Sequence, residues 1–360
     1  MNKPDRVRQA LKSVLDSTTP LYIAPRFDPA LAAWLWRFSA NCTERKLTAN
    51  MNVLGPLGHA TLQLFAQLIA EEEIACDYQA SGYYEVCRTE QGTAHACRDV
   101  ALMRAHGFDA EVLTGEEIGA RMMSLKNGVM GGAYFPDSAT CDPYRFVIEM
   151  AERVRRAGGR TEAGQVVTKV EGGAHPAVRL ATGERFEADA VVLATGAYSL
   201  QLARELGCRL PIQPGKGYHR DLEFGEGSRP PLEAACVLGE TSVFCTPMSG
   251  RLRLAGTMEF SGLNHRMRPS RLAQLTAAAE QYLSGIGPSR VISEWCGLRP
   301  CTPDGLPVVG RLPGQTKVFA ATGHAMTGLT LGPVTGSLMA DLVTGATPST
   351  EVTALAPARF

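Results

Sequence analysis

Apolar side chains recur at helical spacing through much of the first hundred positions, and later they gather into short unbroken blocks. Leu31, Trp34, Leu35 and Phe38 share one face of a helix that Asp28 caps and Pro29 opens. At this spacing Trp34 reads as core. Leu62, Phe65, Ala66 and Ile69 predict a second helix over 58–73. A strand over 83–88 and a helix over 93–106 follow, so 1–141 reads as mainly helical. Asp142 and Pro143 open a helix with the apolar stripe Phe146, Val147, Met150 and Val154; Arg153, Arg155 and Arg156 sit in its last turn and Gly158 and Gly159 end it. Strands are predicted at 165–170, 177–181 and 185–187. Residues 190–194 are apolar without exception, which predicts a strand covered on both faces in a parallel sheet, running straight into a helix. Segments 235–238, 242–246 and 251–257, with a helix over 269–283, read as a second domain built on an antiparallel sheet. The last part returns to the earlier grammar: an apolar strand at 318–321, then after Gly328 a helix carrying Leu331, Val334, Leu338 and Leu342, with Pro333 in its first turn and an end near Gly345. The expected parts are 1–141, 142–209, 210–293 and 294–360, the second and fourth belonging together in an α/β unit.

Composition narrows the function classes. Hydrophobic residues make up 45% of 360 positions, which excludes global disorder. Thirty-six basic residues balance 36 acidic ones, which argues against a nucleic-acid partner. The ten cysteines include no C-x-x-C pair, so no metal site is expected, and they read as small buried hydrophobes in a reducing cytosol. Residues 1–17 are polar and mixed in charge, the expectation being neither signal peptide nor anchor. No run of 18 apolar residues occurs, so no membrane span is expected, although peripheral contact stays open.

Three stretches carry chemistry. Ala194-Thr195-Gly196 follows an apolar strand, and the same tripeptide recurs at 321–323 after another. The carboxyl edge of a parallel sheet is where ligands bind, and glycine lets backbone approach them. Two such turns suggest one cofactor touched from two sides; either alone reads better as a plain strand-to-helix turn. Gly323-His324-Ala325-Met326-Thr327-Gly328-Leu329-Thr330 leads into the last helix, whose free N–H groups suit a ring that becomes anionic on reduction. His324 by itself reads as structural as readily as functional. Arg299 lies in the Gly- and Pro-shaped segment 294–307, where a planar guanidinium would hold a carboxylate bidentately; the competing reading is an ordinary ion pair.

The segment after Arg299, Thr-Pro-Asp-Gly-Leu-Pro-Val-Val-Gly, and the stretch 323–330 resemble the D-amino acid oxidase/dehydrogenase family of FAD flavoproteins. Pro214-Gly215-Lys216-Gly217-Tyr218, the stretch 20–25 and 34–38 are similar to its bacterial D-amino acid dehydrogenase branch. The resemblance implies an FAD-binding domain and an antiparallel-sheet substrate domain, with 1–141 mostly on the substrate side. It implies that Arg299 binds the α-carboxylate, Gly323 to Thr330 hold the isoalloxazine ring, Ala194, Thr195 and Gly196 make a second FAD contact, Val167 contacts the adenine part, and Tyr218 lines the substrate pocket. It implies hydride transfer from a small amino acid to the flavin without a dedicated base, and an electron acceptor such as a quinone at the inner membrane face, or oxygen. One departure is large. No G-x-G-x-x-G is present, and neither 55–58 nor 225–227 replaces it. The Rossmann-like domain is therefore expected to be incomplete, shortened by at least roughly 30 residues. The alternative to a shortened enzyme is a non-catalytic remnant, or a subunit that needs a partner to bind FAD.

Overall fold

The computed structural model describes residues 19–225, 230–232, 234–287 and 289–360. The polar stretch 1–17, and positions 226 and 227 of the segment weighed above as a phosphate loop, lie outside the described residues. In chain order the elements are β1 (Leu21–Ile23), α1 (Pro29–Ala40), α2 (Glu44–Glu71), β2 (Tyr83–Cys87), α3 (Glu90–Ala105), β3 (Glu111–Thr114), α4 (Gly115–Arg121), β4 (Gly131–Phe135), α5 (Pro143–Arg156), β5 (Val167–Glu171), β6 (Ala177–Leu180), β7 (Arg185–Glu187), β8 (Val191–Leu193), α6 (Ser199–Glu205), β9 (Gln213–Glu223), β10 (Ala235–Leu238), β11 (Val243–Met248), β12 (Arg251–Phe260), α7 (Pro269–Tyr282), β13 (Arg290–Cys301), β14 (Val308–Arg311), β15 (Val318–Thr322) and α8 (Gly332–Thr344).

The caps work as the sequence implies. The Asp28 carboxylate accepts the Leu31 N–H at 2.9 Å, and Asp142 accepts from Tyr144 and Arg145. Gly345 closes α8 in the left-handed region at φ +78°. Trp34 is buried against Phe260 and Cys301, and its indole N–H donates to the Pro211 and Cys301 carbonyls. Helix α2 departs from expectation. It starts at Glu44 under a Thr43 cap and continues through Pro56, because Leu47, Met51, Leu57 and Phe65 extend one buried stripe past the proline. By length and composition α2 could cross a membrane. Here its inner face packs on α8, while Asn52, Gln63 and Gln67 are exposed.

Nine strands form one mixed, mostly antiparallel sheet in the order β13-β9-β12-β11-β10-β2-β4-β3, with β1 added parallel to β12. Helix α7 covers one face of it, and Tyr218, Leu222, Leu252, Leu254, Leu275 and Tyr282 form the core between them. The mainly helical expectation for 1–141 omits the short strands β1, β3 and β4, the last of which carries Gly131 and Gly132. The strands expected from the apolar pattern of the later chain omit β9, with Pro214, Gly215 and Gly217, and β13, with Gly297 and Pro300, residues that lower strand propensity. A second sheet, β14-β15-β8, pairs β8 and β15 in parallel, and a third, β5-β6-β7, is an antiparallel meander. The cysteines are all free, and eight of the ten are buried.

One packing expectation is overturned. Strand β8 is covered on one face only. Val191 and Leu193 point inward, but Val192 is 37% exposed. With Ala194 it looks onto an open trough of about 550 Å³, bounded by Gly332, Gly336 and Ala340 of α8. Likewise α5 buries Phe146, while Val147 and Val154 of its expected stripe face outward beside Tyr144 and Ile148. Among the described residues, β8 and α5 therefore each carry an open apolar face.

Candidate functional site

The parallel pairing of β8 with β15 sets Leu193 opposite Ala320, which brings the two Ala-Thr-Gly turns side by side at one sheet edge. A chain of hydroxyls ties them together. Thr195 Oγ1 and Ser199 Oγ are 3.0 Å apart, Ser199 donates to Thr322 Oγ1 at 3.1 Å, and Thr322 donates to the Gly196 carbonyl at 3.0 Å. Ser199 is fully buried; sequence reasoning overlooked it, because nothing local distinguishes it from a helix-start serine. Gly196 adopts φ +54° with open space where a side chain would stand. Gly323 adopts φ +77°, and a Cβ there would lie 2.8 Å from Thr302 Cγ2. Both turns need glycine, one for access and one for closeness.

Residues 323–331 form an irregular turn rather than helix, and α8 begins only at Gly332. The turn is pinned from three directions. Ala325 donates to the Pro300 carbonyl at 3.0 Å and His324 bridges Cys301, so the turn is bound to the end of β13. The Thr61 hydroxyl of α2 donates to the Thr330 carbonyl at 2.5 Å. His324 Nε2 meets Thr335 Oγ1 of α8 at 2.9 Å. Burial holds the His324 imidazole down to about 4, so it is neutral near pH 7 and ties the turn to the helix. Ala325 sits at φ +47°, an unusual conformation for a residue with a side chain. Among the described residues the backbone N–H groups of Met326, Gly328, Leu329 and Thr330 have no protein acceptor.

Arg299 lies two positions before Cys301 on β13, directly beside that turn. The register pairs Arg299 with Gly215 and Gly297 with Gly217, so Arg299, Gly297 and Trp295 share one face with Gly215, Gly217 and His219. The guanidinium lies over Gly217: a Cβ there would be 2.5 Å from Nη1 and nearer still to Cζ and Nη2. Nη1 donates to the Thr257 carbonyl at 2.5 Å. Thr257 occupies a bulge of β12 at φ +63°, and its own buried hydroxyl has no partner. No carboxylate among the described residues pairs with Arg299, and desolvation lowers its pKa. Among the described residues this half-buried cation meets only the Thr257 carbonyl and, at 3.9 Å, the Met258 sulfur; it is poised for an anion, and the ion-pair reading loses ground. Thr257, Gly215 and Gly217 were not singled out for this role; the Gly-x-Gly spacing, two small residues on one strand face, is the signal that could have found them.

Tyr218, expected to line the substrate pocket, points away from it, and Val167, expected at the adenine end, lies apart from this cluster. Tyr218 alternates with Gly217 and therefore points to the opposite face of β9, into the core under α7. Its hydroxyl donates to Glu259 at 2.9 Å, beside the buried Lys216, whose Nζ donates to Asn264 at 2.6 Å. It does not line the face that carries Arg299. Val167 lies at the start of β5, in the separate meander, opposite Leu180.

These residues fit the ring end of FAD: unspent N–H donors ahead of α8, open space at Gly196, and a trough lined by Ala194, His324 and Gly328. Ala194, Gly196 and 323–330 would hold that end. The described chain offers no glycine-rich loop for the pyrophosphate.

Comparison with known proteins bears on the family and the fold. The family model for FAD dependent oxidoreductases (DAO) matches residues 30–342. The chain is 33% identical to a D-amino acid dehydrogenase of Methylobacterium nodulans over 358 residues, covering 98% of this chain and 84% of that one. It is 32% identical to a D-amino acid dehydrogenase of Rhizobium johnstonii, covering 98% and 85%. The fold is similar to glycine oxidase from Geobacillus kaustophilus, with a TM-score of 0.80 at 24% identity over 85% of this chain and 83% of that one.

Proposed function

The chain belongs to the DAO family of FAD-dependent oxidoreductases, and from that premise we propose that it oxidatively deaminates D-amino acids, or cyclic imino acids such as hydroxyproline, to imines and 2-oxo acids. The observation that carries this reading is Arg299, a half-buried guanidinium with no carboxylate partner among the described residues, set one residue from the carbonyl that anchors the 323–330 turn. FAD, when bound, supplies the acceptor for the hydride from the substrate's α-carbon. The protein's share is orientation and electrostatics. Arg299 takes the α-carboxylate in a bidentate grip and so fixes where the α-carbon stands. The free N–H groups at 326 and 328–330 favour negative charge beside them. His324, neutral, adds no positive charge and keeps the turn in place. No side chain is assigned as a base, since a substrate amine that is already neutral needs none.

In this reading the nine-stranded sheet, with β13 carrying Arg299, forms the substrate side, and the β14-β15-β8 sheet with α8 forms the FAD side; helix α2 packs on α8, so the boundaries expected at 141 and 294 are moved. The electron acceptor in this reading is a quinone or oxygen. Turnover of D-alanine with a quinone or dye under argon tests the acceptor, and loss of turnover under argon would favour oxygen. Arg299→Ala is expected to lower kcat/KM for carboxylate substrates by at least about tenfold while leaving bound flavin in place. An unchanged kcat/KM would remove Arg299 from the substrate site.

A second reading is favoured by the open trough beside β8 and by the outward apolar residues of α5. Here the chain binds FAD only after a further strand and helix cover those faces, supplied by a partner. Flavin uptake by the purified chain alone would contradict it; a colourless chain that takes up flavin only with a partner would support it.

A further inference from the structure

The face that carries Arg299 holds a second feature that substrate binding has not yet used. Trp295 is 57% exposed, although it lies within a paired strand and is one of only three tryptophans. Its ring is not free to wander. It stacks on His219, its cross-strand partner, with ring centroids 5.6 Å apart and planes 30° from parallel. It also leans along β13 over Gly297: a Cβ at Gly297 would lie 3.2 Å from Trp295 Cζ2 and closer still to Cη2 and Cζ3. Gly297 and Gly217 are direct partners, and the guanidinium of Arg299 lies over Gly217 in the same way. Cross-strand neighbours on one face stand about 5 Å apart. The indole and the guanidinium are therefore side by side, each spread over a glycine, and the indole has an open outer surface.

Tryptophan exposed next to a cation with no carboxylate partner among the described residues is costly for water to cover and well suited to an amphiphilic ligand. A carboxylate on Arg299 brings whatever is attached to it within reach of the indole. From this juxtaposition we infer that Trp295 is a specificity-determining residue, an aromatic wall that selects substrates whose side chains are apolar or aromatic over those with small or acidic ones. Gly297 and Gly217 are part of the device, because a side chain at either position would push the wall or the cation out of place. His219 backs the indole and stays neutral in this role.

The inference rests on Arg299 holding the substrate carboxylate, and the test separates the two. Binding of phenylacetate and of acetate to the purified chain, saturated with FAD, is measured by calorimetry for the wild type, Trp295→Ala, Trp295→Phe and Arg299→Ala. Both probes carry the carboxylate, and only one carries a ring. The wild type is expected to bind phenylacetate at least about tenfold more tightly than acetate, in line with the worth of an aromatic contact plus its buried area. Trp295→Ala should shrink that ratio to within about twofold while leaving acetate affinity unchanged, and Trp295→Phe should restore most of it. Arg299→Ala should weaken both probes. If Trp295→Ala leaves the ratio as in the wild type, the wall is refuted and the Arg299 reading survives. If neither probe binds the wild type, or if both bind Arg299→Ala normally, both fail together. Kinetics on D-phenylalanine and D-alanine provide the second readout: Trp295→Ala should lower kcat/KM for D-phenylalanine alone, and an equal loss for both substrates would mark a merely structural residue.

Discussion

Replacing Gly217 by alanine tests the site with one methyl group. Gly217 has no positive φ, so alanine suits its backbone, and in the unfolded chain the change removes conformational freedom worth about 0.4–1 kcal/mol in favour of folding. The difficulty is Arg299. The new Cβ would fall 2.5 Å from Nη1, which is 0.9 Å short of ordinary contact at 3.4 Å, and it would overlap Cζ and Nη2 more deeply. The guanidinium must therefore move by about 1 Å or more, and the Nη1 bond to the Thr257 carbonyl, now 2.5 Å, breaks. A hydrogen bond from a charged donor is worth about 1.5–3 kcal/mol, so the net loss of stability is about 1–2 kcal/mol. Catalysis should suffer more, since a 1 Å misplacement of a positioning group costs about 100-fold. The assays are urea unfolding and kcat/KM for a D-amino acid, in the wild-type and Arg299→Ala backgrounds. With Arg299 removed, Gly217→Ala should become neutral or slightly stabilising. Activity within about threefold of wild type, or the same stability cost in both backgrounds, would refute the claim that the guanidinium rests on Gly217.

Two further outcomes follow from the same geometry. Burial holds the His324 imidazole near 4, and burial followed by Arg253 does the same for His219. A histidine with a lowered pKa binds fewer protons folded than unfolded, so stability should fall as pH drops from about 6.5 through 4, by roughly 1–3 kcal/mol for each residue. Urea midpoints at pH 7 and pH 4.5 measure this; His324→Gln should lose less over that window, and an equal loss would contradict the assignment. Gly323→Ala combines φ +77° with a Cβ 2.8 Å from Thr302 Cγ2, so it should cost about 2–4 kcal/mol and release flavin at lower temperature; unchanged thermal release of flavin fluorescence would contradict it.

Much of this was legible in the chain because caps and strand-to-helix turns are local. Asp28 and Asp142 open their helices and Gly345 ends its own where the residue types require, and the two Ala-Thr-Gly turns announce a shared edge before any pairing is known. What escaped is set by tertiary contact. Strands β9 and β13 are rich in glycine and proline, which speaks against strand, yet those glycines are what lets Arg299 and Trp295 lie flat on the sheet. Tyr218 belonged to a recognisable motif, but strand alternation sends it and Gly217 to opposite faces, and only the register shows which side is core. Val192 reads as buried from its neighbours, whereas its exposure depends on whether another segment covers β8. The hydroxyl chain through Ser199 joins residues more than a hundred positions apart, and no local pattern encodes it.

The site sits where two sheets meet. The carboxyl end of β13 brings Arg299 from the nine-stranded sheet, and β15 brings the 323–330 turn from the parallel one; the Ala325 to Pro300 hydrogen bond joins them. A change in that joint would move cation and turn apart. The most direct test is anaerobic mixing of the FAD-loaded chain with D-alanine and, separately, L-alanine, following the visible flavin absorbance. The account predicts that D-alanine bleaches the flavin and yields pyruvate and ammonia in one-to-one proportion, that L-alanine does neither, and that Arg299→Ala slows the bleaching at least about tenfold. Flavin that stays oxidised with every D-amino acid tried, or bleaching that ignores Arg299, would contradict it.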